Sequence, residues 1–143
     1  MNGADQRNFE LEVLSGDLAV CRADRHGFES MDEMLTTFSS PDLQSNVSLW
    51  SVTVTAEEVS LVCDETAVPK GLKVERGWRA LKVSGVLDFA LVGVLAALTQ
   101  VLAEAQISVF AISTFDTDYL LVKHDRLDAT VAALRKDGYV VSV

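Results

Sequence analysis

The stretch Ile107 to Lys123, ISVFAISTFDTDYLLVK, constrains the fold more than any other part of the chain. Two runs rich in β-branched and aromatic residues, Ile107 to Ile112 and Tyr119 to Val122, flank Ser113, Thr114, Asp116, Thr117 and Asp118, whose side chains favour turns. The pattern predicts a β-hairpin. Its polar tip holds one aromatic residue, Phe115, and two carboxylates, so it can be read as a turn alone or as a ligand site.

What surrounds the hairpin gives it a place in a larger unit. Upstream, Trp78 to Val83 (WRALKV) alternates apolar and polar residues and ends at Ser84-Gly85, as a strand followed by a turn would. Asp88 can cap a helix whose apolar residues Leu91, Val94, Leu95, Leu98, Val101 and Leu102 follow 3-4 spacing to about Ala105. Downstream, Leu127, Val131 and Leu134 form a second helical stripe that Gly138 ends, and Tyr139 to Val143 is a last strand. The order is β-α-β-β-α-β, the ferredoxin-like arrangement.

The first half reads as a shortened or permuted relative. Phe9 to Leu14 alternates, Ser15-Gly16-Asp17 makes a turn, and Leu18 to Cys21 is a second strand. Ser30 and Glu33 have the form of a capping box before Met31, Met34, Leu35 and Phe38, a short helix that Ser39, Ser40 and Pro41 stop. Leu49 to Val54 and Val59 to Cys63 flank a polar turn at Thr55 to Glu58, a second hairpin resembling the first and suggesting internal duplication. Asp64 to Arg76, with Pro69, Gly71 and no clear period, is the expected join. The expected fold class is α+β: two ferredoxin-like βαββαβ modules in tandem, at 9–66 and 74–143, with antiparallel sheets backed by helices.

Composition narrows the function. With 49% hydrophobic and 23% charged residues among 143, the chain is globular. A net charge of −9 argues against a nucleic-acid partner, which would require clustered Lys and Arg; Lys70, Lys73, Arg76 and Arg79 are interrupted by Glu75 and read as a solvated linker. No apolar run approaches the roughly 20 residues of a membrane span, and Met1 to Asn8 has no apolar signal core, so the expectation is a cytoplasmic protein with no membrane partner. Cys21 and Cys63 lie outside any CxxC or Cys/His cluster; neither a zinc site nor a disulfide framework is indicated, and both read as core thiols. His26 and His124 lack a ligand pattern, so no metal or cofactor is expected. There is no Gly-x-Ser-x-Gly elbow, HExxH or phosphate-binding glycine loop, which weighs against an enzyme.

The segments SLWSVTVTAEEVSLVCDE, ERGWRALKVSGVLDF and GVLAALTQVLAEAQISVFAISTFDTDYLLVK resemble the bacterial tandem ACT-domain proteins, whose modules also build the CASTOR-type arginine sensors of eukaryotes. The resemblance covers the chain from about Phe9, and ISTFDTDYLLV with WRALKV carries most of it. It implies a non-catalytic regulatory protein, an allosteric sensor that binds a small molecule, commonly an amino acid, at a module interface. It further implies a homodimer and a separate protein effector. The site residues it implies are Asp88, Phe89, Leu91, Val92, Gly93 and Val94 at the helix start, and Thr114, Phe115 and Asp118 at the hairpin tip. Asp118 would pair with a ligand ammonium, and backbone N–H groups near Val92 and Gly93 would hold its carboxylate. Leu91 stands where the arginine sensors place an acidic residue, which favours an uncharged or apolar amino acid. Each residue also has a structural reading: Asp116 and Asp118 as turn formers, Gly93 as a close-packing position inside the helix, Phe115 as an interface contact. The alternative functions are a ligand-independent interaction module acting through sheet edges, and an undetected enzyme.

Overall fold

The computed structural model describes residues 9–38, 48–84 and 93–143. Its elements in chain order are β1 (Glu10–Val13), β2 (Leu18–Asp24), α1 (Met31–Phe38), β3 (Ser51–Val54), β4 (Glu58–Asp64), β5 (Lys73–Val83), α2 (Val94–Glu104), β6 (Phe110–Ser113), β7 (Asp118–Lys123), α3 (Leu127–Lys136) and β8 (Val140–Ser142). The fold class is α+β, with mostly antiparallel pairing. Contacts divide the chain into two units, Gly16–Trp78 and Met1–Ser15 with Arg79–Val143, and β5 runs through the division.

In the unit Gly16–Trp78 the strand order is β3-β4-β2-β5, antiparallel throughout. Alternation along β2 and β4 turns Ala19, Cys21, Ala23, Val59, Leu61 and Cys63 to one face, where Met34 and Phe38 of α1 pack on them. The helix begins where the sequence expects. The Glu33 amide donates to Ser30 Oγ (3.1 Å), and Glu33 Oε2 accepts from the Glu29 amide (2.7 Å), one residue upstream of the usual partner in a capping box. The expected stop at Ser39 to Pro41 lies outside the described residues. At the ends of β2 and β4, Asp24 and Asp64 each accept from the amide two residues on and start a single 3-10 turn.

The aperiodic linker expected up to Arg76 is in part a strand, since β5 starts at Lys73 and pairs with β2. Two features hide its period in the sequence. The register shifts by one residue between Leu18↔Trp78 and Val20↔Glu75, and Gly77 sits in the shifted stretch at φ 78°. The displaced Gly77 amide donates to Glu65 Oε2 (3.1 Å), and Arg76 Nη1 donates to the Glu65 carbonyl (2.6 Å). What reads as linker charge therefore supports a bulge.

The other unit contains the predicted β-α-β-β-α-β succession as β5, α2, β6, β7, α3 and β8, with strand order β6-β7-β5-β1-β8. Strand β1 is the departure from expectation. It forms at Glu10–Val13 but does not turn back on β2; it pairs antiparallel with β5 (Leu11↔Val83) and parallel with β8 (Leu11↔Val141). The pairing is extended by Ser84 donating to the Glu10 carbonyl (2.7 Å), Leu14 to the Ala80 carbonyl (2.9 Å), and Arg79 Nη2 to the Leu14 carbonyl (3.0 Å). The physical reason is core complementarity: Phe9, Leu11 and Val13 join a cluster with Leu81, Val83 and Val141, and the Phe9 ring lies 5.7 Å from that of Tyr139. The core is closed by Val94, Leu98 and Leu102 of α2 and by Val131 and Leu134 of α3. As predicted, Gly138 ends α3: it takes φ 97°, its amide donates to the Arg135 carbonyl, and the Tyr139 amide donates to the Leu134 carbonyl.

Candidate functional site

The predicted hairpin forms as β6 and β7, with Ser113 opposite Asp118 at its end. Thr114 builds the turn between them. Its amide donates to the Thr117 carbonyl (2.8 Å), while its hydroxyl oxygen accepts from the Thr117 amide (3.3 Å). The β3–β4 hairpin uses the same device, with the Thr55 amide donating to the Glu58 carbonyl (2.9 Å) and Thr55 Oγ1 accepting from the Glu58 amide (3.1 Å). The likeness of the two hairpins in sequence is thus repeated in their turns.

The tips differ at the fourth turn residue. Thr117 is 3% exposed, and its hydroxyl donates to the carbonyl of Val83 (2.7 Å), 34 residues away in sequence at the end of β5. This bond ties the β6–β7 tip to the point where the chain leaves the sheet towards α2. Sequence reasoning missed it, treating Thr117 as one of several turn formers; a threonine where the sister hairpin has Glu58 was the available signal. Phe115, at 81% exposure, projects from the same tip. Asp118 is half-buried, and its Oδ1 accepts from the Ser113 hydroxyl (2.5 Å). Thr114, Phe115 and Asp118 are therefore brought together on one turn.

Of the helix-start residues, Asp88, Phe89, Leu91 and Val92 lie outside the described residues. Gly93 corrects the expectation that it sits within the helix. It is the N-cap of α2, in the left-handed region at φ 85° and ψ 5°, and α2 begins at Val94. Glycine tolerates this conformation where other residues are strained. The Gly93 carbonyl accepts the first helical bond, from Ala97 (2.9 Å), and among the described residues no side-chain cap bond is present. The N–H groups of its first turn point towards that end without intrahelical acceptors, as at any helix start. Val94 is buried in the core cluster.

Other places carry less chemistry. A cleft of about 360 Å³ lies at the opposite, C-terminal end of α2, lined by Val101, Glu104, Ala105, Ala133, Lys136 and Asp137. Among the described residues, no group of three or more His, Cys, Asp or Glu side chains could hold a metal, and no helix is long and apolar enough to cross a membrane.

These features define an α+β protein with a ferredoxin-like succession, in which a hairpin tip is pinned to the end of the strand that precedes α2 in the chain. A family model for the ACT domain matches residues 73–136, so an ACT domain is present over that span. Among solved structures, a protein from Agobacterium tumefaciens is 27% identical and superposes with a TM-score of 0.74, covering 93% of this chain and 91% of that one. A protein of unknown function from Vibrio cholerae, described as a possible transport protein, is 19% identical with a TM-score of 0.68, covering 92% and 91%. The ligand-free regulatory subunit of aspartate kinase from Thermus thermophilus is 9% identical with a TM-score of 0.60, covering 92% and 95%, and at that identity the likeness is one of fold. No functionally curated protein matches the chain in sequence.

Proposed function

We propose that the chain is a non-catalytic regulatory protein with two ACT-like modules in tandem, which senses a small molecule, an amino acid by class. The ligand lies between the start of α2 and the β6–β7 tip. The observation that carries this reading is the Thr117 hydroxyl bonded to the Val83 carbonyl, which holds Thr114, Phe115 and Asp118 at the end of β5. The ligand ammonium meets Asp118, which keeps acceptor capacity beyond the Ser113 hydroxyl, and the ligand carboxylate meets the first-turn N–H groups of α2. Asp88, Phe89, Leu91, Val92 and Gly93 form the helix-side wall, and Leu91 selects an uncharged side chain over arginine. The matched ACT domain and the regulatory subunit that shares the fold support a sensing role. As in the CASTOR-type sensors it resembles, the protein acts as a homodimer and passes its state to a protein effector. The physical logic is linkage: a ligand that binds one arrangement better shifts the population towards it.

Thermal-shift measurements against the proteinogenic amino acids and related metabolites test the proposal. A ligand binding only the folded state should add about 2.7 kcal/mol of stability at 100 times its Kd. Asp118→Asn should weaken the response at least tenfold in apparent Kd without lowering the unliganded melting midpoint. Unchanged affinity in Asp118→Asn removes that carboxylate from the site.

One observation favours a second reading, an interaction module that needs no ligand. Among the described residues β3 pairs only with β4, and Trp50, Val52 and Val54 on this strand and its approach are exposed. Absence of any thermal shift, together with self-association or partner binding lost in Val52→Lys, would support it over the sensor.

A further inference from the structure

We propose that Cys21 and Cys63 are a redox-modifiable pair, which a hydroperoxide converts to a reversible cross-strand disulfide between β2 and β4. Neither residue is part of the ligand reading, and in the sequence they are 42 positions apart with nothing to connect them. The strand register brings them together. Cys21 stands opposite Leu61 and Cys63 opposite Ala19, so the cysteines are diagonal neighbours, two residues out of direct opposition. Residues in these positions share one face of the sheet, and both side chains are buried in the cluster beneath Met34 and Phe38. Each thiol alters the pKa of the other.

The pair is chemically unsymmetrical. The hydrogen bond with Cys63 lowers the pKa of Cys21, burial opposes that shift, and the positive charge of Arg76 adds to it. For Cys63, the same hydrogen bond, burial, and the charges of Cys21 and Asp64 hold the thiol protonated. The carboxylate of Asp64, next in sequence to Cys63, disfavours a thiolate there, which makes Cys21 the nucleophile and Cys63 the resolving thiol of the proposed reaction. The Cys21 thiolate attacks one oxygen of the hydroperoxide and breaks the O–O bond. The leaving oxygen takes a proton to become water or an alcohol, and Cys21 becomes a sulfenic acid. Cys63 sulfur then attacks Cys21 sulfur, its proton goes with the departing hydroxide, and water leaves. Two thiols are oxidised and one peroxide is reduced. The diagonal offset, typically about 7–8 Å between Cα atoms in a flat sheet, exceeds the roughly 4.4–6.8 Å spacing usual for a disulfide. Sheet twist and a small slip of β2 along β4 must supply the difference, so the bond is strained and easily reduced.

The test exposes the native, full-length protein to hydrogen peroxide, then quenches it and alkylates it in denaturant. The expected product resists alkylation at both cysteines, has lost two hydrogen atoms from its intact mass, and yields a Cys21–Cys63 linked peptide that dithiothreitol releases. Two alkylated cysteines, one cysteine carrying two or three oxygens without a link, or a link that forms only in denaturant would each overturn the proposal. In Cys63→Ser, dimedone should capture Cys21 as a sulfenic acid, whereas in Cys21→Ser it should leave Cys63 unmodified. Equal capture of both overturns the assigned order of attack.

Discussion

At residue scale, the β6–β7 tip depends on a hydroxyl that is buried and far from its partner in sequence. Replacing Thr117 by Val keeps the shape but removes the donor to the Val83 carbonyl, leaving a buried acceptor unsatisfied at a cost of about 1–3 kcal/mol. Chemical denaturation of Thr117→Val should show that loss; a change within about 0.5 kcal/mol, as for ordinary surface substitutions, would mean that the bond does not hold the tip. Asp64 offers a pH-dependent counterpart. Its carboxylate accepts from the Thr66 hydroxyl (2.6 Å) and amide (2.9 Å), bonds that lower its pKa below the ordinary value of 3.8. Because the folded value is the lower one, the stabilisation is present above pH 3.8 and is lost as pH falls through the folded pKa. Melting midpoints of the wild type and Asp64→Ala should therefore differ at neutral pH and converge in acid below that value. A gap that persists unchanged into strong acid would rule out the carboxylate as its source. The place of Asp118 in the hairpin tip was legible from the ISTFDTDYLLV pattern, but its pairing with Ser113 and the anchoring by Thr117 were not, because both depend on which strands lie side by side.

At element scale, regular periodicity made α2, α3 and both hairpins readable, and irregularity concealed what joins them. Helix α2 begins later than its apolar pattern suggests because Gly93, inside that pattern, takes a left-handed conformation as its N-cap. The 3-4 spacing records which face is buried but carries no mark of the backbone break. Gly93→Ala should cost about 1–2 kcal/mol, the penalty for an L-residue in the left-handed region, instead of gaining the roughly 1 kcal/mol expected at a true helix-interior glycine. Equilibrium unfolding gives the sign directly, and stabilisation would return Gly93 to the helix interior. The start of β5 was hidden for a related reason. A bulge at Gly77 interrupts the period-2 alternation, so Lys73 to Arg76 reads as a charged linker although it lies in a paired strand.

At the scale of the whole molecule, β1 limits what sequence order can say about modules. The chain reads naturally as 9–66 followed by 74–143, because each half holds strands and a helix in a plausible succession. Strand β1 breaks that reading by lying between β5 and β8, so the sheet of residues 79–143 includes residues from the other end of the chain. Adjacent strands usually pair, and Ser15-Gly16-Asp17 is a competent turn; what overrides them is the fit of Phe9, Leu11 and Val13 to the core of the second unit. Only a long-range comparison of apolar surfaces could have found this. Leu11 is fully buried, so Leu11→Ala alone should cost about 2–5 kcal/mol. A fragment of residues 74–143 loses all three side chains and both ladders of β1. It should melt well below the intact chain, with amides 140–142 exchanging rapidly, and a synthetic peptide of residues 9–15 added in trans should restore their protection. Unaltered protection in the fragment alone would mean that β8 closes directly on β5 and that β1 is dispensable.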